Sequence, residues 1–359
     1  MALPLNVPSG NIRAWDPNLR PQFTQQWNLS LEHQFTSTFS LTAAYVGQKA
    51  THTVVPREGN QPLPGIGPVS TWAPLQTRRP LYSALPLVTT IAVTDSPSNM
   101  NYNGLQVTGR KRMSGGLEFV TSYTLSKTLT DNRGFYGGGP NFIYGEGAYW
   151  QNAYNRASDR GRAFFDSRHN FNFGGNWDVP VGRKRAFGKS LHPAADWIVG
   201  GWNTGFLVVA HSGFPVTILG LDSTNQAVRG NVRANQYRAL TYQNQSIDNW
   251  FGTGNTLCLT PGVDDGKCAY GNAAPGVFGN SSIASEQAPS YFDFDASVGK
   301  QFNISERRYF DFRMEMFNAF NHASFGPPAR DLSTPATFGQ ITLQTTLPRN
   351  IQFGLKVYF

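Results

Sequence analysis

Apolar and polar residues alternate one for one along much of this 359-residue chain, and the spacing of an amphipathic helix is nearly absent. Period-two alternation puts successive side chains on opposite faces of a β-strand. Nine segments carry it. Gln25–Gln34 sets Trp27, Leu29 and Leu31 against Gln26, Asn28, Ser30 and Glu32, and Thr38–Gly47 repeats the pattern with Phe39, Leu41, Ala43 and Tyr45. Tyr102–Arg112 places Leu105 and Val107 opposite Gln106, Thr108 and Arg110, and Gly116–Ser126 follows with Leu117, Phe119, Tyr123 and Leu125. His169–Val179 opposes Phe171, Phe173, Trp177 and Val179 to Asn170, Asn172, Asn176 and Asp178, and Trp197–His211 carries Trp202, Phe206 and Val208. The last three are Tyr291–Lys300, with Phe292, Phe294, Ala296 and Val298; Arg308–Asn321, with Phe310, Phe312, Met314 and Met316; and Arg349–Phe359.

Segments of about ten residues with one apolar and one polar face have the length and pattern of strands that cross a bilayer at a tilt. Strands of a soluble sandwich average about five or six residues. The connections point the same way. Short ones (Phe35–Ser37, Met113–Gly115) alternate with long ones (48–101, 127–168, 212–290, 322–348), as in an outer-membrane barrel with short periplasmic turns and long external loops. The predicted fold is therefore all-β, an antiparallel transmembrane β-barrel segment. A secreted, soluble all-β adhesin or carbohydrate-binding protein is the alternative, suggested by the Trp and Tyr content of the loops.

Parity sets the orientation. With the short turns in the periplasm, the first and the last strand both run inward, which places residues 1–24 outside the cell. Nine strands do not match the even count of bacterial single-chain barrels, and two open edges would leave backbone groups unsatisfied in lipid. The expectation is that residues 1–24 are a truncated extracellular loop and residues 25–359 the C-terminal portion of a larger barrel. Truncation would also account for an N-terminus without a secretory signal.

Composition sharpens this picture. Charged residues make up 14% of the chain and aromatics 13%, with 37 Gly and 23 Pro, so disorder is disfavoured. Apolar runs such as Leu85–Val93 and Thr204–Ala210 are too short for a membrane helix. The net charge of +8 comes from turn-like clusters, Arg110-Lys111-Arg112, Arg183-Lys184-Arg185 and Arg307-Arg308, and no nucleic-acid recognition module accompanies them, so no nucleic-acid partner is expected. Cys258 and Cys268 enclose a loop in which Pro261-Gly262 can turn the chain, and they are the candidate disulfide of an oxidising compartment. Two unpaired thiols are the alternative.

Several strings then resemble a known family. Tyr102-Asn103-Gly104-Leu105-Gln106, Ser122-Tyr123-Thr124-Leu125-Ser126-Lys127, Asp159-Arg160-Gly161, Phe165-Asp166-Ser167-Arg168-His169 and Val179-Pro180-Val181-Gly182 are similar to the barrel of Oar-like TonB-dependent receptors. So are Phe312-Arg313-Met314-Glu315-Met316-Phe317-Asn318-Ala319-Phe320-Asn321-His322, Phe338-Gly339-Gln340-Ile341 and the closing run from Pro348 to Phe359. The resemblance covers roughly residues 18–359. It implies the last nine strands of a 22-stranded barrel, whose plug, carboxypeptidase-regulatory-like domain and TonB-engaging motif are not visible in these residues. The TonB system would then be a partner only through that N-terminal part. Phe353, Leu355, Val357 and Phe359 resemble the terminal signal read by the barrel-assembly machinery. The other expected partners are outer-membrane lipid and an external ligand of unknown identity.

Candidate chemistry is sparse. Asp293 and Asp295 on one strand, and Asp311, Arg313 and Glu315 on the next, share the polar face. Paired carboxylates can hydrolyse glycosides, but an arginine among them favours a lumen-lining charge ladder. Asp264-Asp265 with Asn255 and Asn272 match no loop of defined calcium geometry, and a solvated turn is expected. The histidines (His33, His52, His169, His192, His211, His322) lack metal-site spacing, and Gly137-Gly138-Gly139-Pro140 is followed by no Lys-Ser/Thr of a phosphate cradle. Neither an enzyme nor a cofactor is predicted.

Overall fold

The computed structural model describes residues 8–134, 147–183, 185–254 and 257–359. Its strands in chain order are β1 (Gly10–Trp15), β2 (Phe23–Thr36), β3 (Phe39–Glu58), β4 (Val88–Ser114), β5 (Leu117–Thr130), β6 (Gly161–Arg162), β7 (His169–Asp178), β8 (Trp202–His211), β9 (Pro215–Val216), β10 (Asn235–Gln236), β11 (Leu257–Cys258), β12 (Tyr270–Gly271), β13 (Glu286–Gln287), β14 (Tyr291–Asn303), β15 (Tyr309–Phe317) and β16 (Asn350–Tyr358). One α-helix, α1, spans Pro193–Val199.

Each of the nine predicted strand segments overlaps one of the nine long strands, which hydrogen-bond in the order β16-β15-β14-β8-β7-β5-β4-β3-β2. Each neighbouring pair is antiparallel. Register carries the alternation across the sheet: Phe173 faces Val208, which faces Phe294, and Met314 faces Phe353. Asn176 faces Gly205, Gly205 faces Ser297, and Ser297 faces Glu315 on the opposite side. Aromatic rings run across the apolar face, with Phe119–Phe173 at 5.6 Å and Phe173–Phe206 at 5.0 Å between centroids. Large apolar side chains stay exposed on that face, including Leu29 (68%), Phe353 (70%) and Leu355 (64%). No second sheet packs on it among the described residues. A soluble sandwich would bury that face against a partner sheet, so this architecture disfavours the soluble alternative.

The short connections lie at one end. Gly115 and Gly116, at φ +62° and +80°, close the β4–β5 hairpin in the left-handed conformation that such tight turns require. At the β2–β3 turn, the Thr36 hydroxyl accepts the backbone N–H groups of Thr38 (3.3 Å) and Phe39 (3.0 Å).

Several details depart from the sequence expectation. The segment expected to be an external loop contains β1, which runs parallel to the first residues of β4. The outer parts of β3 and β4 continue past the predicted ends, with Val55 to Glu58 pairing Asp95 to Ala92. The sixth strand begins at Trp202 rather than Trp197. Pro193 near the start favours the helix, Gly200-Gly201 ends it, and Trp197 therefore belongs to α1. The eighth ends at Phe317 because Asn318, at φ +47°, turns the chain. The Asn318 amide then donates to the carbonyls of His322 and Leu347, both at 2.9 Å. The two edge strands, β2 and β16, are exposed along their whole length.

Candidate functional site

The four long connections, at the opposite end from the hairpin turns, fold together. Val216, Ile218, Ala234, Phe251, Ala269, Tyr270 and Ala288 of the β8–β14 connection form a buried apolar cluster with Leu332 of the β15–β16 connection, and Phe338 packs against it. Backbone bonds stitch the same two segments: Leu219 N–H donates to Arg330 O (2.9 Å), Leu332 N–H to Leu219 O (3.0 Å) and Trp250 N–H to Gly339 O (2.8 Å). Burial of this cluster gives the outer layer a core of its own, which an ordinary solvated loop lacks.

Polar side chains lock the remaining connections to it. The Gln61 amide, after β3, donates to Gln151 O at 2.8 Å, and its carbonyl accepts Ala153 N–H at 2.6 Å. The Gln151 amide donates to Gly279 O at 3.1 Å, and its carbonyl accepts Arg233 N–H at 3.0 Å. Gly279 is required there, since a Cβ would lie 1.9 Å from Arg233 O. The Arg233 guanidinium donates to Asp159 (2.9 Å), Ser281 O (2.7 Å) and Ser158 O (2.9 Å). Arg133 approaches the same Asp159 carboxylate at 3.7 Å. Burial pulls the Arg133 guanidinium down to about 10, with the Asp159 charge opposing the shift. Burial likewise draws down Arg330, to about 10, and Arg233. Glu286, also buried, accepts hydrogen bonds from the Tyr242 and Tyr270 hydroxyls, the latter at 2.5 Å. Desolvation, reinforced by that carboxylate, pushes both phenols above the ordinary tyrosine range.

Beneath this cap the polar sheet face forms a second surface. A concavity of about 320 Å³ is lined by Asn176, Leu207, Asp295, Ser297, Arg313 and Glu315, among others. Arg313 and Glu315, two apart on β15, pair at 2.6 Å. Of the other predicted charges, Asp311 lies opposite Gln301 and Lys356 near the turn end. Asp295 accepts Asn318 N–H at 2.9 Å at the cap end, and Asp293 is opposite Val209. The structure thus joins Arg313 to Glu315, keeps Asp295 in the same concavity, and sets Asp293 and Asp311 toward opposite ends of their strands. Phe353, Leu355 and Val357 share the apolar face of β16, and Phe359 follows it fully exposed.

Cys258 and Cys268 are joined as a disulfide, with Cα atoms 5.3 Å apart. Between them Asp264 pairs with Arg238 at 2.7 Å, and Asp265 accepts the N–H groups of Lys267 and Cys268, both at 2.8 Å. The Arg238 bond holds the Asp264 carboxyl below the usual range, and the two backbone bonds do the same for Asp265. Asn272 accepts Leu221 N–H at 2.8 Å instead of joining them. Asn255 lies outside the described residues, as do Gly137 to Pro140 and Lys184. Among the described residues, the one grouping of possible metal ligands is Cys258, Asp264, Asp265 and Cys268, and its sulfur atoms are committed to the disulfide. What the arrangement offers is noncovalent recognition: a rigid cap over a polar, partly charged surface. Sequence reasoning named Asp159 only as part of a family-like string, without its buried role, and missed Arg233, Gln61, Gln151 and Glu286, since none of these stands in a periodic or motif context.

A family model described as "Outer membrane beta barrel domain" matches residues 2–352. No curated protein matches the chain. Among solved structures it is similar to the ferric preacinetobactin receptor BauA from Acinetobacter baumannii, at 11% identity and TM-score 0.42, covering 94% of this chain and 29% of that one. It is also similar to the outer membrane transporter YddB from Escherichia coli (8%, TM-score 0.43, 95% and 33%). A third is the ferric yersiniabactin uptake receptor FyuA from Yersinia pestis (10%, TM-score 0.40, 94% and 30%). The chain spans about a third of the length of these structures or less.

Proposed function

The chain belongs to the outer membrane β-barrel domain family, and from that premise we propose that it forms the C-terminal nine strands of an Oar-like TonB-dependent receptor or transporter. In this reading the folded external cap and the polar lumen face bind or admit an external ligand. The carrying observation is the segregation of connections: hairpin turns at one end of a sheet with one exposed apolar face, and four long segments folded into one cap at the other. The strings similar to Oar-like receptors, from Tyr102-Asn103-Gly104 to the terminal strand, support the finer assignment.

The sheet edges support the larger barrel. Among the described residues, β2 and β16 each pair with one neighbour, and both run from the cap end toward the turn end. Joining them directly, or to a second copy in the same orientation, would create parallel seams in an otherwise antiparallel wall. An antiparallel closure needs an odd number of further strands that begin and end by running outward. It would satisfy the edge N–H and C=O groups, each costing several kcal/mol if left bare in lipid. On this reading residues 1–24, β1 included, lie on the external side and residues 25–359 carry the barrel wall. Contact with TonB falls to other parts of the receptor, and the barrel-assembly machinery reads Phe353, Leu355, Val357 and Phe359.

The test is outer-membrane fractionation and refolding. Residues 1–359 alone should fail to give a protease-resistant, heat-modifiable monomer in detergent, whereas strands supplied in trans or in cis should restore one. A stable heat-modifiable monomer from these residues alone overturns the larger-barrel reading.

A further inference from the structure

Lys300 is a charged residue on the apolar face of the sheet, opposite Trp202 and Phe312, near the hairpin end. An uncovered ammonium there would meet lipid at considerable cost. It is instead 3% exposed, because α1 lies over it. Its Nζ donates to Trp197 O at 2.6 Å and Ile198 O at 3.0 Å, capping the C-terminal carbonyls of the helix, and it lies 4.8 Å from the Phe302 ring. Trp197 packs on Phe302 at 5.0 Å, and the Trp202 indole donates to Ile198 O at 3.0 Å. These contacts seat α1 against the outside of the wall, not the lumen. There it leaves Trp197 (51%) and Ile198 (61%) exposed, and Phe187 (66%) is exposed earlier in the same connection.

Beside this apolar rim the charges are mostly basic. A cavity of about 350 Å³ is lined by Arg183, Arg185, Asp196, Trp197, Lys300 and Asn303, among others. Asp196 is occupied by Arg183 N–H at 2.7 Å, and Arg185 reaches Asp178 at 3.4 Å. Lys189 lies in the same connection, and the neighbouring turn adds Arg307 and Arg308 against Glu306. An aromatic rim with basic side chains at the edge of an apolar wall is the pattern that holds an amphipathic segment at a charged lipid interface.

We propose that the β7–β8 connection is a membrane-interface anchor: α1 lies in the headgroup region beside the barrel, and Arg183 and Arg185 recognise the phosphate of an anionic phospholipid. The inference rests on the outer-membrane reading and gives that membrane contact a headgroup preference.

The test places one environment-sensitive thiol label at Ile198→Cys, at Phe312→Cys as a wall control, or at Ser70→Cys, exposed in the β3–β4 connection of the cap, as a control away from the bilayer. The full-length protein from outer membranes is reconstituted in phosphatidylcholine vesicles with and without phosphatidylglycerol, and quenching by brominated lipid is read. The expected result is strong quenching at Phe312→Cys, little at Ser70→Cys, and quenching at Ile198→Cys that rises with phosphatidylglycerol. Arg183→Glu with Arg185→Glu should abolish the rise, each arginine being worth roughly fivefold in interfacial partition. Quenching at Phe312→Cys without any at Ile198→Cys overturns the anchor while sparing the membrane reading, and would suit a periplasmic protein partner. No quenching at Phe312→Cys overturns both. Quenching at Ile198→Cys indifferent to phosphatidylglycerol overturns the anionic recognition.

Discussion

Arg233 donates to Asp159 across 2.9 Å, 74 residues away in sequence, and both side chains are all but fully buried. The pair ties the β5–β7 connection to the β8–β14 connection within the outer layer. Removing one partner of such a pair leaves an uncompensated buried charge, at about 3–5 kcal/mol. Asp159→Ala should therefore loosen the cap while leaving the wall strands paired. Limited proteolysis of reconstituted protein should show new cuts in residues 147–168 and 212–290 with strand fragments intact; an unchanged pattern contradicts the pair's role.

The two faces of the wall should respond differently to charge. Arginine at Phe294, on the apolar face, should cost up to roughly 2–4 kcal/mol in a bilayer, arginine at Phe312, nearer the hairpin end, less, and arginine at Ser297 or Thr124, on the polar face, least of all. Denaturant titration of the four variants in liposomes measures this directly. Equal costs would contradict the assignment of faces.

Glu58 gives the cap a pH dependence of defined sign. Its carboxylate accepts Ile91 N–H (2.8 Å) and Asn60 N–H (3.0 Å) and lies 3.3 Å from Arg229, yet burial outweighs these and raises its pKa above the ordinary 4.5. The folded form then holds its proton to higher pH than the unfolded form does. Stability contributed at this site is greatest below 4.5 and declines as pH climbs through the raised value. Protection of the Ile91 and Asn60 amides, measured as exchange relative to the unstructured rate at each pH, should fall across that rise, and Glu58→Gln should remove that fall. A trend of opposite sign contradicts the desolvation account.

The Cys258–Cys268 disulfide closes a short segment of the cap. Chain-entropy reasoning credits a loop of this size with roughly 3 kcal/mol or less, concentrated near Arg238 and Asp264. Cells labelled with a thiol reagent before reduction should show both cysteines protected, and the Cys258→Ser, Cys268→Ser double variant should become protease-sensitive between 257 and 271 while the wall persists. Labelling of both thiols without reductant contradicts the pairing.

The sequence by itself determined the wall. Period-two alternation is a local property, and a bilayer requires one apolar face along each strand, so nine segments and their facing were legible from Trp27 to Val357. The division into short and long connections was legible for the same reason, since the strands bracket them. Only the tertiary structure decided how the long connections fold. Asp159 and Arg233, Gln61 and Gln151, and Glu286 with its two tyrosines meet through the path of the chain, and no spacing marks them. The parallel pairing of β1 with β4 belongs to the same class. So does Lys300, a charge on an apolar face that reads as a flaw in the alternation until α1 is seen to cover it. Its partners are two backbone carbonyls whose identity the alternation does not encode.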